Sequence, residues 1–110
     1  MDKWKGIWSK KDLAPNSIQS LNNLIVANGF DTGVGNYNED KWREMVFDFL
    51  KRTNFTENAT VLELGCGSGA FLFALNERVK ANYFGMDYSH SLINIAKIAL
   101  PKAHLVATEA

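Results

Sequence analysis

The sequence predicts an α/β fold in which amino-terminal helices precede a parallel sheet. Three observations carry this. Apolar residues keep helical spacing to about residue 58, and after that they fall into short runs. From Thr60 the elements alternate strand, helix, strand, helix, strand, which implies right-handed crossovers and a parallel sheet. A glycine triplet, Gly65, Gly67 and Gly69, stands where the first strand gives way to a helix.

The first part reads as three helices. Trp4, Ile7, Trp8 and Lys11 have helical spacing, although Gly6 costs about 1 kcal/mol there. After Pro15, Asn16 is the expected cap of a second helix, with Gln19 at the capping-box position. Ile18, Leu21 and Ile25 form its stripe, and Asn28-Gly29 is its stop. A third helix starts near Asn38-Glu39-Asp40, where acidic residues suit the positive helix end. Its apolar face is Trp42, Met45, Val46, Phe49 and Leu50.

Val61 to Leu64 then reads as a strand, Ala70 to Leu75 as a helix and Ala81 to Met86 as a second strand. Ser89 caps a helix with an inner face of Leu92, Ile95, Ala96 and Ala99, and Pro101 blocks its continuation. His104 to Thr108 is the third strand.

Composition narrows the function classes. The chain has 110 residues, enough for one domain, and 46% are apolar. By size scaling it buries roughly two-thirds of its unfolded surface. Acidic and basic residues number 12 each, split evenly at 8 and 8 through Asn58 and 4 and 4 beyond it. No basic arm marks a nucleic-acid or anionic-membrane partner. One cysteine, Cys66, forms no internal disulfide, and neither a signal peptide nor an 18-residue apolar run is present. The expected location is cytoplasmic. The triplets Asn54-Phe55-Thr56 and Asn58-Ala59-Thr60 read as polar turns rather than glycosylation sites.

The chemistry lies in Glu63-Leu64-Gly65-Cys66-Gly67-Ser68-Gly69-Ala70, followed by Asp87. Glycines let the loop turn tightly and let a ligand touch backbone. The next helix is expected to point its free amides at the same place. Asp87 lies 22 residues past Gly65, at the end of the adjacent strand, where a carboxylate accepts from both ribose hydroxyls of an adenosine.

At these residues the sequence resembles the class I S-adenosylmethionine-dependent methyltransferases. Their first motif, an acidic residue, an apolar residue and three alternate glycines, is matched by Glu63 to Gly69. The resemblance implies a Rossmann-like three-layer fold, S-adenosylmethionine as cofactor and methyl transfer to a small-molecule acceptor. It places cofactor contacts on Glu63, Gly65, Cys66, Gly67, Gly69, Asp87, Tyr88, Glu109 and Ala110. Glu63 would orient the loop and the ammonium end, Gly65 and Gly67 would pass the methionine part, and Tyr88 would cover the adenine. Glu109-Ala110 stands where the family commonly has Asp-Ala. The full family fold has seven strands. The chain therefore reads as an incomplete domain, with a helical lid or cap over 1–58 and the first half of the cofactor-binding domain over 59–110. The acceptor-facing groups come from later strands, so the sequence names no catalytic residue. An uncompleted first strand would leave Val61, Leu62 and Leu64 on an open edge prone to self-association.

Gly65-x-Gly67-x-x-Ala70 also fits a nicotinamide dinucleotide fingerprint. A carboxylate at Glu63 would repel a pyrophosphate, and the preceding helices are unusual for such domains. A non-catalytic cofactor-binding module is the other alternative. Cys66 at a helix start could be a nucleophile, but reads better as a small residue in a tight loop. His90 reads as a solvated helix start and His104 as structural, and their spacing with Cys66 suits no metal. Gly29 to Gly35 reads as a flexible connection closing over the cofactor. Trp4, Trp8 and Trp42 are candidates for stacking on a cation or substrate ring, with helix packing preferred, most clearly for Trp42.

Overall fold

In a computed structural model of the chain, the structure describes residues 20–29 and 38–108. The helix expected around Trp4 and Trp8 lies outside these residues. So do Asn16, most of the Gly29 to Gly35 connection, and Glu109-Ala110.

Helix α1 spans Leu21–Asn28. Its cap is Ser20, not the expected Asn16: Ser20 is extended, and its hydroxyl accepts from the Asn23 amide at 3.2 Å. Serine offers the same short side-chain oxygen as asparagine. Starting there puts Leu21, Leu24 and Ile25 on one buried face. Gly29, at φ 84, ends the helix in the left-handed conformation. Helix α2 spans Glu39–Thr53, capped by Asn38, whose Oδ1 accepts from the Lys41 amide at 2.9 Å. Trp42 and Val46 are buried. Met45, expected on the inner face, is 38% exposed.

Strands β1 (Thr60–Leu64), β2 (Asn82–Asp87) and β3 (His104–Ala107) form one parallel sheet in the order β1-β2-β3. Helix α3 (Ala70–Arg78) connects the first two strands and α4 (His90–Ala99) the last two. The Ser89 hydroxyl accepts from the Leu92 amide at 3.2 Å, the cap expected for α4. The register pairs Val61 with Tyr83 and Gly85 with Leu105. Tyr83, Gly85 and Leu105 are buried on that face, in a core shared with all four helices. On the opposite face Leu62, Leu64 and Val106 are 57%, 72% and 53% exposed. The described residues thus make two of the three expected layers. No helix among them is long and apolar enough to cross a membrane.

Gly85 sits where the carboxyl-end loop folds back on the sheet. A Cβ built there would lie 2.8 Å from Cys66 Sγ and 2.9 Å from Leu105 Cδ2. Gly85→Ala is therefore expected to destabilise the fold by roughly 1–3 kcal/mol through overpacking. Adding Cys66→Ala should recover part of that loss in denaturant unfolding. No recovery would mean that the sulfur is not the obstacle.

Candidate functional site

The loop Gly65–Gly69 leaves β1 and crosses the end of β2. Its amides are consumed one after another by protein acceptors. Gly65 and Cys66 both donate to the Met86 carbonyl, at 2.7 and 3.0 Å. Gly67 donates to Asp87 Oδ1 at 3.1 Å, Ser68 to Asn28 Oδ1 at 2.9 Å and Gly69 to the Cys66 carbonyl at 2.9 Å. Internal acceptors thus reach every amide of these five residues.

The three glycines serve three different needs. Each has a positive φ, at 74, 57 and 85° for Gly65, Gly67 and Gly69. A Cβ at Gly65 would meet nothing within 4 Å, so this glycine faces open space. A Cβ at Gly67 would collide with Asn28 Oδ1, so its bareness admits α1 rather than a ligand. A Cβ at Gly69 would press on Leu100 Cδ1 at 3.0 Å and Ala96 Cβ at 3.2 Å, so that glycine lets the start of α3 approach α4.

Above the loop lies an open cleft of about 550 Å³. Glu63, Gly65, Cys66 and Gly67 form its floor, and Asp87, Tyr88 and Leu92 form one side. Phe71, Asn28, Trp42 and Met45 complete the wall. Glu63 and Asp87 occupy the same sheet face, two positions apart in the register. Glu63 Oε1 is buried and has no hydrogen-bond partner among the described residues. Burial, and then the nearby Asp87 charge, push the Glu63 carboxyl up to about 7. Asp87 is held differently: besides Gly67, it accepts from the Ser89 amide at 2.9 Å.

A family model described as a methyltransferase domain matches residues 55–107. That stretch, just under half of the chain, resembles the S-adenosylmethionine-dependent methyltransferases. No curated protein matches the chain. Among solved structures, the chain is similar to CalS10, an amino pentose methyltransferase from Micromonospora echinaspora with S-adenosylmethionine bound. Identity is 25%, coverage 62% of this chain and 29% of that one, and the TM-score 0.52. A methyltransferase from Thiobacillus denitrificans in complex with S-adenosylhomocysteine shares 23% identity over 61% of this chain and 29% of its own, with a TM-score of 0.54. Coclaurine N-methyltransferase matches 98% of this chain and 35% of its own at 13% identity and a TM-score of 0.62, a likeness of fold. The chain thus spans about a third of the length of these structures.

Within the matched stretch the structure brings Glu63, Gly65, Cys66, Gly67, Asp87 and Tyr88 to one cleft. Gly69 is buried behind it and Glu109-Ala110 lie outside the described residues. The Cys66 thiol is buried, and desolvation followed by the charges of Glu63 and Asp87 pushes it up to about 12. That leaves no thiolate at neutral pH, in keeping with a space-filling role. His90 is exposed, and the His104 ring stacks on Phe84 with centroids 4.7 Å apart. Trp42 is both buried and part of the cleft wall. Sequence reasoning read Asn28 only as a helix stop and Met45, Phe71 and Leu92 only as packing or connecting residues. Their periodicity looks the same whether a face meets core or cleft.

Glu63 carries a testable pH signature. Its folded-state value lies above the ordinary 4.5, so the folded protein holds this proton more tightly than the unfolded chain. The stability it contributes is complete below about 4.5 and is lost as pH rises through about 7. Glu63→Gln is expected to flatten stability across that window, by at most about 3 kcal/mol. Denaturant unfolding at several pH values checks this; an unchanged slope would place Glu63 in water.

Proposed function

We propose that this chain is the cofactor-binding part of an S-adenosylmethionine-dependent methyltransferase whose acceptor is a small molecule. The observation that carries the reading is the acidic floor of the cleft. The unpaired Glu63 oxygen and the Asp87 carboxylate face a space whose loop amides are already engaged. A cationic ammonium and sulfonium suit such a site. A pyrophosphate does not: it would meet two carboxylates and no free amide of the Gly65–Gly69 loop. That is the physical ground for setting the nicotinamide dinucleotide alternative aside.

The residue roles follow from position. Glu63 pairs with the cation. Gly65 lets the ligand approach the backbone. Asp87 keeps two amides fixed and offers its remaining lone pairs to the ribose hydroxyls. Tyr88 and Leu92 bound the adenine side. When bound, S-adenosylmethionine supplies an electrophilic methyl group for in-line displacement by the acceptor. The chain's contribution is alignment and exclusion of water along the apolar wall of Trp42, Met45 and Phe71. The division into a cap over 1–58 and a cofactor-binding half over 59–110 belongs to the same proposal. An acceptor of modest size is supported by the names of CalS10 and coclaurine N-methyltransferase, which act on small molecules. A lone buried thiol needs no oxidising compartment and supports a cytoplasmic location.

Calorimetry on the full chain tests the cofactor. S-adenosylhomocysteine should bind, and Asp87→Ala should weaken it at least tenfold, since hydrogen bonds to a charged group contribute roughly 1.5–3 kcal/mol each. Tighter binding of a nicotinamide dinucleotide would overturn the reading.

Self-association also belongs to this reading. The outer edge of β1 is unpaired among the described residues, and Leu62 and Leu64 are exposed beside it. Such an edge is a template for another chain. Light scattering of the 110-residue chain should show dimers or larger species. Lysine at position 62 (Leu62→Lys) should shift them toward monomer, whereas a wild-type monomer would contradict the edge argument.

A further inference from the structure

The most conspicuous feature that the cofactor reading leaves unexplained is a pair of buried hydrogen bonds between α1 and the glycine loop. Asn28 is the last residue of α1, is only 7% exposed, and accepts from the Ser68 amide at 2.9 Å. Ser68 is fully buried, and its hydroxyl also donates to α1, to the Leu24 carbonyl at 2.7 Å. Leu24 and Asn28 are one helical turn apart, so a single face of α1 accepts both bonds that Ser68 donates. Gly67 lies directly against the Asn28 side chain. Its own amide goes the other way, to Asp87. Two adjacent loop amides are therefore held from opposite sides, one by β2 and one by α1.

We propose that Asn28 is a positioning residue for cofactor binding: by holding the Ser68 amide, it makes the binding shape of the Gly65–Gly69 loop conditional on the docking of α1. This rests on the cofactor reading above. Without Asn28 Oδ1 the Ser68 amide is buried and unpaired, a costly state that the loop relieves by moving. Moving the loop displaces Gly65 and Gly67 on the cleft floor. Helix α1 has only eight residues, too few to persist without its docking contacts. By linkage, a ligand that prefers the ordered loop must in turn stabilise the docked α1.

The test uses the full chain with S-adenosylhomocysteine as probe. Asn28→Ala should weaken calorimetric binding at least tenfold. Asn28→Asp, which keeps the acceptor for the Ser68 amide, should restore most of it. Ile93→Ala, a core truncation in α4 away from these bonds, should lower thermal stability while leaving affinity within about twofold. Hydrogen exchange should show that the ligand protects the amides of residues 24–28 in the wild type but not in Asn28→Ala. Equal losses of affinity in Asn28→Ala and Ile93→Ala would reduce Asn28 to a structural role. Unchanged affinity in Asn28→Ala beside a binding wild type would overturn the positioning role alone. Absence of binding by the wild type would overturn the cofactor reading and this proposal with it.

Discussion

The Asp87 carboxylate is the joint on which the site is built. One oxygen accepts from Gly67 in the loop after β1, and the other from Ser89 at the start of α4. A single side chain at the end of β2 thus fixes the two segments that border the cleft. Its own backbone carbonyl accepts from Thr108 beyond β3, at 2.8 Å. All three strands converge on this residue. The parallel register makes that possible, since it brings the carboxyl ends of the strands to one side.

From that joint the electrostatics follow. The loop amides are committed to other acceptors, and none of them bonds Glu63. Burial and the Asp87 charge then leave Glu63 poised between protonation states near neutrality. Burial, and then the same two carboxylates, suppress ionisation of the Cys66 thiol. A site of this kind favours a cation and disfavours a phosphate. That is the chemical difference between the two cofactors that the glycine spacing alone admits.

Much of this was legible in the sequence because local rules and tertiary demands agree. Asn38 and Ser89 cap helices as their residue types require, and Gly29 ends one. The three strands appear where the apolar period shortens. The illegible parts are long-range. Nothing near Asn28 in the chain indicates a hydrogen bond to Ser68, forty residues away. Gly67 looks like a ligand-facing glycine in any motif, yet its missing Cβ makes room for Asn28. Ser20 rather than Asn16 caps α1, since both residue types cap and packing decides between them. Met45 fits the helical stripe but lies where α2 reaches the cleft mouth.

Proton release on ligand binding tests the pairing of Glu63 with a cation most directly. Calorimetric titration with S-adenosylmethionine at pH 7, repeated in buffers of different ionisation enthalpy, measures it. A carboxyl poised near 7 that becomes fully ionised beside the cation should release about half a proton per ligand, and Glu63→Gln should abolish that release. Binding with no release in the wild type, or with the same release in Glu63→Gln, would contradict a carboxylate–cation pairing at this site.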